Sequence, residues 1–105
     1  MRRGTTPTIT FNVSVDTTLI DILDIAFAQD GKVIVTKTKP DCTITENTIA
    51  CRLTEEETMA FQTGKVLMQI RIKFIDGNIA VSDVMLTSAE VLLQNEVIEN
   101  VQSGI

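Results

Sequence analysis

The chain has 105 residues, 44% of them apolar and 22% charged, with a net charge of −5 and no histidine. That length and balance suit one folded domain with a single core, leave no room for a separate catalytic domain, and exclude a disordered chain. The negative balance excludes a general nucleic-acid binder, because neutralising phosphates needs a dense Lys/Arg field. No stretch reaches the roughly 18 to 20 apolar residues that span a bilayer. Residues 1–7 carry charge without the apolar run of a secretory signal, so a soluble product made in the cytoplasm is expected.

Threonine is abundant, Trp and Tyr are absent and only four Phe occur, which favours strands filled by aliphatic side chains. Residues 7–15 alternate, with Ile9, Phe11, Val13 and Val15 on one face and Thr8, Thr10, Asn12 and Ser14 on the other, as a half-buried strand requires. Residues 18–29 fit a helical stripe or a strand stripe of Leu23, Ile25 and Phe27. Asp30-Gly31 and the β-branched return of Lys32, Val33, Ile34, Val35 and Thr36 favour the strand and a hairpin. A three-residue loop Gln29-Asp30-Gly31 with a bulge at Gly31 is preferred, since it sets Phe27 opposite Val33 and Ile25 opposite Val35. Lys37, Lys39 and Pro40 then read as guards of an exposed sheet edge.

A second hairpin turns on Glu46-Asn47 and pairs Ile44 with Ile49 and Cys42 with Cys51, all on one face. Residues 42 and 51 fall at a non-hydrogen-bonded position, where a cross-strand disulfide is geometrically conceivable; two buried thiols in a reducing compartment are the plainer reading. A metal site would have to be completed by carboxylates, and none is expected. Thr54 to Glu57 has the capping-box pattern and predicts a helical turn, its three glutamates partnering the helix dipole on a wet surface. Met59 and Phe61 are expected to plug the end of the fold.

The longest alternation follows Gly64: Val66, Met68, Ile70, Ile72 and Phe74 inward, Gln69, Arg71 and Lys73 outward, a central strand. Asp76-Gly77 returns it into Ile79 and Val81, expected inward, and a bulge near Ser82-Asp83 is expected to pass the stripe to Val84 and Leu86. Residues 88–97 fit either a capped helix or a continued strand.

The ends differ in charge. Arg2 and Arg3 mark a basic arm at residues 1–6, and no Lys or Arg follows Lys73, while Glu90, Glu96 and Glu99 accompany Leu92, Leu93, Val97 and Ile98. A basic arm, a domain over residues 7–91 and an acidic, apolar segment over residues 92–105 suit docking between subunits through Arg2, Arg3, Leu92, Leu93, Val97 and Ile98. No nucleophile with a base and no phosphate loop is present, so neither an enzyme nor a cofactor is expected.

The run Arg2-Arg3-Gly4-Thr5-Thr6-Pro7-Thr8, then residues 28–34, then Leu53-Thr54-Glu55-Glu56-Glu57-Thr58, with Gly64-Lys65-Val66 and Asp76-Gly77, resembles small structural proteins of tailed phages and prophages of Gram-positive hosts. The layout also resembles the immunoglobulin-like N-terminal domain of phage baseplate upper proteins. That resemblance implies an all-β, antiparallel Ig-like β-sandwich of about seven strands with one short helical turn. It further implies a virion component, made in the host cytoplasm, that forms homo-oligomers or binds other virion subunits at the tail tip or baseplate. The baseplate proteins continue into a stalk and this sequence does not, which implies an adaptor subunit. A capsid decoration or head-fibre subunit and a phage-encoded intracellular inhibitor are the alternatives.

Overall fold

The computed structural model describes residues 1–89. Strand β1 (Thr8–Asn12) buries Ile9 and Phe11 and turns its Thr and Asn side chains out, as the alternation requires. A 3-10 turn at Thr17–Leu19 follows, capped by Asp16, whose carboxylate accepts from the Thr18 backbone N–H at 3.0 Å and from its hydroxyl at 2.6 Å. Residues 20–29 form strand β2 (Ile20–Gln29), with Leu23, Ile25 and Phe27 buried. The strand stripe prevails over the helical one because both neighbours in the sheet use that inward face.

Strand β3 (Lys32–Thr38) pairs with β2, and here the expected loop is corrected. Asp30 and Gly31 both take left-handed φ values, 51° and 76°, and Gln29 faces Lys32, so the loop has two residues. Asp-Gly supplies positive φ at both central positions, which matches the twist of the flanking strands. The extra residue moves along β3: Ala28 faces Val33 and Phe27 faces Val35, leaving Ile34 as the bulge. Val35 is buried and Val33 is exposed. Ile25 faces Lys37, which therefore points inward.

The cysteine hairpin matches its reading. Strands β4 (Cys42–Ile44) and β5 (Thr48–Arg52) pair Cys42 with Cys51 and Ile44 with Ile49, and the Thr45 N–H donates to the Thr48 carbonyl at 2.9 Å across the turn. Helix α1 (Glu55–Met59) has the capping box: the Glu57 N–H donates to Thr54 Oγ1 at 3.1 Å, and the Thr54 N–H donates to Glu57 Oε1 at 2.8 Å. Phe61 is fully buried, whereas Met59 is exposed, so only Phe61 plugs the core. Its ring meets Phe27 edge to face, with centroids 6.3 Å apart.

Strand β6 (Gly64–Phe74) buries Val66, Met68, Ile70 and Ile72 and turns Gln69, Arg71 and Lys73 outward. Strands β7 (Ile79–Val81) and β8 (Met85–Ala89) both pair with β6, on the side away from β2. The two sheets are thus β1-β5-β4 and β3-β2-β6, the latter closed by β7 and β8 in tandem. Among the described residues all pairings are antiparallel, and the core lies between the sheets: an all-β sandwich with eight strands described.

One further expectation is corrected. Ile79, Val81, Val84 and Leu86 are exposed, and the inward positions are Ala80, Met85 and Ala89. Register decides this, since Ile79 faces Lys73 and Val81 faces Arg71, both outward residues of β6. Residues 1–6, the basic arm, pack against the domain: Met1 is buried, its ammonium donates to the Ser88 carbonyl at 2.6 Å, and the Gly4 N–H donates to Thr58 Oγ1 at 3.0 Å.

Candidate functional site

Three places could carry chemistry. The first is the cysteine pair. Burial pushes the Cys51 thiol up to about 12, and burial also raises Cys42, so both are neutral thiols with little thiolate at neutral pH. Both are free, and among the described residues no group of His, Cys, Asp and Glu is placed to hold a metal ion.

Beside them lies the second place, an ion pair sunk under the sandwich edge. Lys37 was read as an exposed guard; its side chain is only 8% exposed, and Nζ sits 2.5 Å from Glu57 Oε1. The same carboxylate accepts from the Thr54 N–H. Partial burial alone would raise the Glu57 carboxyl, but the bonds from Lys37 and Thr54 outweigh it and hold the group below its ordinary value. An inward lysine on edge strand β3 also discourages unwanted strand pairing there, because docking another sheet would trap the charge. The pair orients α1 against β3. Nothing beside it resembles a base aimed at a nucleophile.

A polar groove at one end runs between the Ser14 to Thr18 turn and the Glu46 turn, with Lys39 on its wall. Its groups are committed internally: Thr17 Oγ1 donates to the Thr45 carbonyl at 2.7 Å, and Lys39 Nζ donates to the Ile20 carbonyl at 2.8 Å.

The third place is the outer face of the larger sheet. Register lays its residues in rows across the strands. Ala28, Leu67 and Leu86 form one row; Asp24, Arg71 and Val81 another; Ile22, Lys73 and Ile79 a third. Leu86 is 62% exposed, Val81 56%, Ile79 54% and Ile22 48%. A cationic stripe on β6 is thus flanked by aliphatic side chains that no other element covers among the described residues. The break between β7 and β8 sits within this face, where the Ser82 N–H donates to the Ile70 carbonyl at 2.8 Å and Ser82 Oγ accepts from the Ile70 N–H at 2.9 Å. The serine hydroxyl replaces the missing backbone acceptor, and the chain shifts face at that point.

The residues singled out from sequence divide between these places. Cys42 and Cys51 come together as expected. Arg3 is committed to its own domain, donating from Nη2 to the Met59 carbonyl at 3.1 Å, and Arg2 is half-buried. Leu92, Leu93, Val97 and Ile98 lie outside the described residues. Sequence reasoning missed Lys37 with Glu57, and it missed the exposed set Ile79, Val81, Val84 and Leu86. For Lys37 a signal existed, since it stands two residues beyond inward Val35. For the exposed set the alternation was visible but its face was not.

Among the described residues no helix is long and apolar enough to cross a membrane. No family model matches the chain, and no match is found among curated proteins or solved structures.

Proposed function

We propose that this chain is a structural assembly subunit that binds neighbouring subunits through the outer face of its larger sheet. The setting follows from the sequence resemblance: the tail tip or baseplate of a tailed phage. The observation that carries the reading is the cluster of Ile22, Leu67, Ile79, Val81 and Leu86 on one sheet face beside Arg71 and Lys73. Several exposed aliphatic side chains gathered on one sheet face on either side of a cationic stripe suit a protein–protein contact, whereas single scattered aliphatics do not. Committed internal hydrogen bonds and neutral thiols support a non-catalytic role.

The test places a charge in the patch. Val81→Lys and Leu86→Lys should remain folded, because both side chains already face water, and should abolish self-association in light scattering or incorporation into particles. Thr43→Lys, an exposed position on the other sheet, should also remain folded and should leave self-association and incorporation unchanged. Assembly that survives both patch substitutions would remove this surface from consideration.

A further inference from the structure

We propose that Cys42 and Cys51 form a modification site: a small disulfide oxidant of the glutathione type enters at Cys42 and leaves an internal disulfide stapling β4 to β5. This inference is independent of the assembly surface. The two cysteines are direct partners in register, on the same face as Ile44 and Ile49. The Thr45 and Thr48 backbones bond across the turn, so by alternation residues 43 and 50 form the next hydrogen-bonded pair and residues 42 and 51 a non-hydrogen-bonded one. At such a position Cα atoms stand about 4.5 Å apart and side chains approach most closely. That spacing lies within the range of roughly 4.4 to 6.8 Å that disulfides span, at its short end.

Exposure assigns the order of events. Cys42 is half-buried, and its Sγ reaches the Thr38 carbonyl at 3.3 Å on an exposed stretch; Cys51 is 1% exposed. Cys42 is the entry thiol and Cys51 the resolving thiol. Cys42 loses its proton and its sulfur attacks one sulfur of oxidised glutathione; the other glutathione leaves as a thiolate and takes up a proton. Cys51 then loses its proton and attacks the Cys42 sulfur of the mixed disulfide, expelling the second glutathione, which is protonated in turn. Two protein thiols are oxidised to one disulfide, and one oxidised glutathione is reduced to two thiols.

Both steps start from thiols raised by burial, so the reaction is slow at neutral pH, and only the second step, between paired strands, is helped by proximity. Excess small thiol runs the same exchange backwards, which makes the staple reversible. Its structural effect falls on β4, a three-residue strand that, among the described residues, pairs within its sheet with β5 alone.

The test uses the folded chain, incubated with excess oxidised glutathione in mildly alkaline buffer and read by intact mass without reductant. The wild-type chain should lose two hydrogens, retain no glutathione, and regain the hydrogens with dithiothreitol. Cys51→Ala should accumulate one glutathione at Cys42, and Cys42→Ala should stay unmodified while folded. A wild-type chain that keeps bound glutathione, links to a second copy, or does not react overturns the assignment, and this readout does not depend on whether the variants fold.

Discussion

Glu57→Gln isolates the role of the sunken ion pair. Glutamine keeps the hydrogen-bonding capacity of the capping box at its third helical position, so the Thr54 N–H retains its acceptor and helix α1 keeps its start. The negative charge opposite Lys37 is lost, while the ammonium remains on a side chain only 8% exposed. Breaking a buried pair by removing one partner costs about 3–5 kcal/mol. Glu57 retains 27% exposure, and water reaching it screens the interaction, so a loss of about 2 kcal/mol is the working figure. Lys37→Met should behave differently, because it removes the desolvated charge and keeps an unbranched apolar stem; its cost should be below about 1 kcal/mol. The double variant should then resemble Lys37→Met alone, giving a coupling as large as the Glu57→Gln cost, about 2 kcal/mol, in a double-mutant cycle. Urea unfolding followed by circular dichroism measures all four proteins. If Glu57→Gln lies within about 0.5 kcal/mol of wild type, or if Lys37→Met costs as much as Glu57→Gln, the pair does not hold the helix in the way argued.

Acid should act on the same group. The carboxyls of Glu57 and of Asp41, the latter lowered chiefly by the backbone N–H of Thr38, titrate below their ordinary values in the fold. Their stabilisation is therefore present above the unfolded values near pH 4 and fades as pH falls through the folded ones; stability measured from neutrality downward should drop below about pH 4, less steeply in Glu57→Gln. Ser82→Ala should cost about 1–2 kcal/mol by leaving the Ile70 N–H without its acceptor, and amide exchange at Ile70 should accelerate; unchanged exchange there would show that the serine is not the acceptor in solution.

Much of the architecture was legible because strand signals are local. Alternation found β1, β2 and β6, a count outward from Glu46-Asn47 paired the cysteines, and Thr54 with Glu57 announced the helix. What failed was non-local. Period 2 defines two faces but does not say which one a neighbour covers, and in β7 the larger side chains, Ile79 and Val81, point to water while Ala80 points in. The β2–β3 register hinged on where one extra residue is absorbed, a choice made between Gly31 and Ile34 by the twist of the strands. Lys37 looked like an edge guard because its counter-ion stands twenty positions later in the chain, on an element whose docking no local pattern reveals. The outer face went unread for the same reason as β7: its apolar character depends on register across three strands.

The closing of the chain upon itself sets its folding kinetics. Met1 is tied to Ser88, β1 pairs with β5, and β2 waits for β6. Among the strand pairings of the described residues, only the β2–β3 and β4–β5 hairpins and the turn into β7 can form from neighbouring sequence, and each is weak alone. Loop closure must be paid for before the long-range pairings return stability, so refolding belongs on the millisecond-to-second scale rather than the microsecond scale of helical bundles. During synthesis the β2–β3 hairpin emerges with Ile25 and Phe27 uncovered and stays so until β6 has left the ribosome. Within the two sheets, that interval is when the chain is most exposed to mispairing with another copy.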